Sequence, residues 1–134
     1  MQTIRVSVDH RVGVEDLGTE YETNDVKRVV DDVNRLDGAA RTIVAIQRGN
    51  VSLTIGGGND GRYVAFVAVN QDEEFFNLVN RDVPEGKDEV QVVTGGQAGL
   101  FSRRACLEKS TVIEAASHFA ETGAMNRTLC WDKA

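Results

Sequence analysis

The stretch Leu107–Trp131, LEKSTVIEAASHFAETGAMNRTLCW, decides how the chain folds. Val112, Ala115, Ala116, Phe119 and Ala120 recur at i, i+3, i+4, i+7 and i+8, drawing one apolar stripe along an amphipathic helix. Ser110 or Thr111 is placed to cap its start, and Thr111 and Glu114 stand at capping-box spacing. Gly123 supplies the left-handed residue that ends it. The β-prone run Arg127–Trp131 follows, with Trp131 tying the chain to a sheet. A helix with one apolar stripe must lie on an apolar surface, so this stretch predicts a helix docked on a sheet and one further strand.

Working outward, Thr3–Val8 alternates Ile4, Val6 and Val8 with polar residues, the period of a half-buried strand. Asp9–Thr23 is acidic and contains glycine, and reads as loop. Asn24 is placed to cap a second helix with Asp25 in its first turn, and Val26, Val29, Val30, Val33 and Leu36 form its inner face. Asp31 and Arg35 add an i, i+4 pair, and Gly38 closes the helix. Thr42–Gln47 and Val51–Ile55 are strands joined by the tight connection Arg48–Gly49–Asn50, hence antiparallel neighbours. Arg62–Asn70 is apolar on both faces and belongs near the sheet centre. Glu73–Asn80 fits a strand better than a short helix, Arg81–Lys87 is a turn, and Glu89–Thr94 is a strand. Gly95–Gly99 is a loop and Leu100–Leu107 an extended lead into the last helix. The whole predicts one domain over residues 1–134, an α+β fold. A mostly antiparallel sheet carries two main helices, in the order β-α-β-β-β-(β)-β-β-α-β.

The formal net charge is −6, which argues against direct nucleic-acid binding through phosphate neutralisation. The charge is concentrated. Asp72, Glu73, Glu74, Asp82, Glu85, Asp88 and Glu89 face only Arg81 and Lys87 within one short segment. No run has the length of a membrane span and no signal peptide is visible at the start, so no membrane partner is expected and the cytoplasm is the expected location. Cys106 and Cys130 form no CxxC pair and read as buried, reduced thiols in strands. His10 and His118 have no ligand spacing with them, so neither a metal nor a cofactor is expected.

Gly56, Gly58 and Gly61 spell G-x-G-x-x-G, but a strand rather than a helix follows, which favours a turn over a dinucleotide site. Gly95, Gly96 and Gly99 mark either a plain sharp turn or a mobile tip at a binding surface. Ser117 and His118 are helix neighbours whose side chains diverge by about 100°, so they form no dyad. Enzymatic chemistry is unsupported. Phe75 and Phe76 follow three acids; on a strand, one faces the core and the other solvent or a partner, and Phe76 is the candidate anchor.

The hairpin VSLTIGGGNDGRYVAFVA, the approach GGQAGLFSRRACLEKS and above all VIEAASHFAETGAMNRTLCW resemble the first of the immunity-protein families that protect bacteria against their own polymorphic or contact-dependent toxins. Ile113, Glu114, Ala115, Ala116, Phe119, Leu129 and Trp131 stand in that family's closing helix and strand. The resemblance covers roughly Val51 onward. It implies a non-enzymatic inhibitor that binds the toxic C-terminal domain of a cognate secreted effector and occludes its active site. Partners of similar proteins include nucleic-acid deaminases and other toxins. A basic nucleic-acid-targeting toxin such as a deaminase or nuclease is the partner expected here, since its cleft would attract an acidic surface. On charge clustering alone, the expected toxin-binding residues are Asp72, Glu73, Glu74, Phe76, Asp82, Glu85, Asp88 and Glu89. Two other classes stay open: a small nucleotide- or ligand-handling enzyme using Gly56–Gly61, and a structural or adaptor subunit.

Overall fold

The computed structural model describes residues 3–70 and 72–134. In chain order it contains β1 (Ile4–Val8), β2 (Arg11–Val12), β3 (Glu15–Asp16), β4 (Thr19–Thr23), α1 (Val26–Asn34), β5 (Ile43–Arg48), β6 (Val51–Gly57), β7 (Tyr63–Val69), β8 (Glu74–Val79), β9 (Glu89–Thr94), β10 (Gln97–Ser102), α2 (Lys109–Thr122) and β11 (Cys130–Lys133). Seven strands form one sheet in the order β11-β8-β7-β6-β5-β1-β4, with every pairing antiparallel. The α+β architecture read from the sequence is the one observed.

The register explains where the core sits. Phe76, Val67, Leu53, Ile46, Val6 and Tyr21 lie side by side across six strands, so they share one face of the sheet. Both helices lie on that face and pack against each other. Helix α1, which ends at Asn34 rather than running to Gly38, brings Val29 and Val33, with Leu36 just beyond it. Helix α2 brings the whole predicted stripe of Val112, Ala115, Ala116, Phe119 and Ala120, all buried. Gly123 ends α2 at φ 75°, donating its N–H to Phe119 O, as the sequence predicts. Strand β7 sits near the centre, with Val64, Val67 and Ala68 all buried, the outcome of its two-sided apolar pattern.

Several boundaries differ from expectation, each for a local reason. Asp9–Thr23 is not plain loop: it holds the β2–β3 hairpin and β4, which pairs with β1. As a sheet edge β4 needs only one inward apolar residue, Tyr21, so its polar sequence TEYET carries little strand signal. Asp25 rather than Asn24 caps α1, because its carboxylate accepts the Lys27 N–H at 3.0 Å. Asp31 pairs with Lys27 at 3.4 Å and Arg35 with Asp32 at 3.2 Å, in place of the Asp31–Arg35 pair. Helix α2 starts ahead of Ser110 and Thr111, with Glu108 at the cap position and no capping side chain. The reason is Leu107, fixed on Tyr63 by two backbone bonds of 2.8 and 3.1 Å, which sets where the helix must begin. The last strand lies later than Arg127–Trp131. Gly95 and Gly96 make a two-residue hairpin turn, and Gln97 already belongs to β10. Cys106 lies just past a 3-10 turn (Arg103–Ala105) instead of in a strand; both cysteines are free and half-buried.

Candidate functional site

The glycine motif serves the fold. Strand β7 follows it, and its N–H groups are already engaged: Gly57 donates to Thr42 O at 3.1 Å and Gly58 to Arg62 O at 2.8 Å. A phosphate would have to displace these bonds to use those two donors. Gly58 runs at φ 108° against the Leu36 carbonyl, where a Cβ would come within 2.6 Å. Asn59, inside the loop, clasps β9 by accepting the Val93 N–H at 2.9 Å and donating to Gln91 O at 3.3 Å.

The tip Gly95–Gly96 is likewise tied down. Gly96 donates to Thr42 Oγ1 at 2.9 Å and lies against the Arg11 guanidinium. Thr42 in turn donates its hydroxyl to the buried carboxylate of Asp9, which also accepts the N–H groups of Thr42 and Ile43 and the Arg11 guanidinium. Burial alone would push the Asp9 carboxyl up, but these donors outweigh it and hold it below the usual carboxylate value.

The seven acids of the charged segment do not form one patch. Asp72, Glu73 and Glu74 sit at the turn entering β8, whereas Asp82, Glu85, Asp88 and Glu89 follow its far end. The strand between spans roughly 17 Å at about 3.3 Å per residue. Glu74 is partly neutralised by Lys133 at 3.0 Å; Asp82, Glu85, Asp88 and Glu89 are exposed. Their loop is held by Arg104, which reaches Val83 O at 2.6 Å and Asp132 at 3.2 Å. The backbone bonds Asn80–Arg104 (2.8 Å) and Arg103–Asp88 (3.0 Å) pin the loop's ends. Asp82, Pro84, Glu85 and Asp88 line a recess of about 350 Å3 with Arg103 and Arg104. Arg104 escaped the sequence reading, and only the Arg103–Arg104 dipeptide could have flagged it.

Between the acid groups lies β8, whose Phe75 side belongs to the sheet face opposite the helices. Phe75, Ala68, Ser52, Gln47, Arg5 and Glu22 stand side by side across it. Phe75 is the exposed ring of the aromatic pair, 36% accessible and 6.2 Å from the Phe66 ring, while Phe76 packs against the core on the helix side. The hairpin β9–β10 covers part of this face near Gly56 and Phe101. The rest opens into a groove of about 450 Å3 lined by Arg5, Ser7, Gln47, Asn50, Ser52 and Asp72, among others. Among the described residues, no group of His, Cys, Asp and Glu converges as a metal site.

An exposed aromatic ring beside acidic and polar groups has a composition also met at protein–protein contact surfaces. The chain belongs to the immunity-protein family Imm1: the family model, Immunity protein Imm1, matches residues 18–133. It is therefore an immunity protein directed at a toxin. Comparison with curated proteins and with solved structures gave no match. No helix among the described residues is long and apolar enough to cross a membrane.

Proposed function

We propose that this protein neutralises the toxic C-terminal domain of a cognate secreted effector by covering its active site, acting in the cytoplasm and without catalysis of its own. The observation that carries the mechanism is the arrangement around β8. Two acidic groups, Asp72–Glu74 and Asp82–Glu89, lie at the two ends of β8, whose Phe75 stands exposed on the sheet face away from the helices. A basic, nucleic-acid-directed toxin such as a deaminase or nuclease offers the complementary field, which raises the association rate and sets orientation. Phe75, rather than Phe76, supplies the aromatic contact.

Reversing four acids (Glu73→Lys, Glu74→Lys, Asp88→Lys, Glu89→Lys) tests this reading. The variant keeps its fold, since exposed pairs such as Glu74–Lys133 contribute only about 0–1 kcal/mol. It binds the toxin domain more weakly, protects cells less, and loses most of the salt dependence of the association rate. Unchanged affinity and protection would remove the acidic surface from the mechanism.

A further inference from the structure

Just ahead of the family-matched stretch, which begins at Gly18, the chain raises a hairpin whose side chains the core does not use. Strands β2 and β3 pair Arg11 with Asp16 and Val12 with Glu15, leaving Gly13–Val14 as a two-residue turn. Gly13 has φ 62° and Val14 does not, the pattern of a type II′ turn that puts a β-branched residue at the tip. Val14 is fully exposed, and Val12 and Leu17 are exposed by 52% and 53%. Soluble proteins expose single aliphatic residues routinely, but three on one short projection mark a contact surface.

The projection is held rigidly at its base. Asp16 Oδ1 accepts the N–H of His10 and of Gly18, each at 2.9 Å. Leu17 donates to His10 O and Arg11 to Ala40 O, both at 2.7 Å. The backbone is thus ordered before any partner arrives, which lowers the entropic cost of binding. The hairpin's uncommitted charge is negative. Exposed Glu15 and Asp16 follow Val14 directly in the chain, while the hairpin's own cation, Arg11, is committed to Asp9 at 3.0 Å and Asp16 at 3.8 Å.

We propose that this hairpin is an insertion finger for the toxin domain. Val12, Val14 and Leu17 enter an apolar recess on the toxin, and Glu15 meets a basic rim around it. This rests on the immunity reading above. A finger of this kind discriminates between toxins by fit to the right recess and by clash with wrong ones.

The test uses the full chain and the catalytically inactivated C-terminal domain of the effector encoded beside it. The triple variant Val12→Ser, Val14→Ser, Leu17→Ser loses affinity by about tenfold or more in titration calorimetry, with its circular dichroism and thermal midpoint unchanged. A control that keeps the tip apolar, Val12→Ile, Val14→Ile, Leu17→Met, stays within about threefold of the parent. Unchanged affinity in the serine variant overturns the finger and leaves the immunity reading intact. A parent chain that does not bind the domain at all overturns both. If the serine substitutions leave toxin affinity alone but turn a dimer into a monomer in sedimentation, the hairpin is a self-association contact and the proposal fails.

Discussion

Asp9 joins β1 to β5 through one carboxylate, and through Thr42 it reaches the β9–β10 turn as well. Asp9→Asn keeps the shape but removes the charge that its donors are arranged around. We expect a loss of about 1–3 kcal/mol, read from denaturant unfolding. The pH dependence follows from the sign of the shift. The folded carboxyl titrates below its ordinary value of 3.8, so its contribution is complete above that value and disappears as pH falls through the lower folded one. Between roughly pH 5 and 2 the parent's thermal midpoint should therefore drop more steeply than that of Asp9→Asn; equal slopes would show that Asp9 carries no such linkage. Gly58 makes a separate point. Alanine there must hold φ 108° with its Cβ pressed on the Leu36 carbonyl, costing about 1–3 kcal/mol. A nucleotide-site reading of the loop predicts the opposite, lost ligand binding on an intact fold, so a melt of Gly58→Ala separates the two.

Helix α2 is the element that the sequence describes best, because every stripe residue meets the same demand for burial. Phe119 is 1% exposed at the centre of that stripe. Phe119→Ala should cost about 3–5 kcal/mol in equilibrium unfolding, and a loss under about 1 kcal/mol would mean the stripe is not the fold's anchor. The far end of the helix depends on a residue with no sequence signal. Arg48, leaving β5, donates to the carbonyl of Ala120 at 3.0 Å and places its cation at the helix C-terminus. Strands with alternation or continuous apolar runs, β1, β5 to β7 and β9, were legible for the same reason as α2, whereas β8, EFFNLV, was only favoured over a short helix. The hairpin β2–β3 and edge strand β4 were not, because exposed or edge positions impose no periodicity. Among the site residues, the acids were readable by counting. That β8 would hold them apart, and turn Phe75 outward instead of Phe76, depended on register, which one residue of slip would invert.

At the scale of the molecule, charge governs how the partner is met. With a net charge of −6 and acids at two loops and one hairpin, association with a basic domain should slow several-fold as salt rises from roughly 50 to 300 mM, since the screening length falls below about 10 Å. Dissociation should change much less; stopped-flow measurements that find both rates insensitive to salt would exclude steering. The sheet's order also has a consequence in time. Strand β11 pairs with β8, yet Cys130 follows its partner Val79 by about fifty residues. On a ribosome adding about 5–20 residues each second, β8 waits roughly 3–10 s with its outer edge unpaired. Such an edge invites a neighbouring nascent chain, and like charges are what keep it away. Asp72, Glu73 and Glu74 stand at one end of that edge and Asp82 just beyond the other. Charges at the two ends of a waiting edge are a placement that disfavours edge-to-edge pairing of a half-made chain.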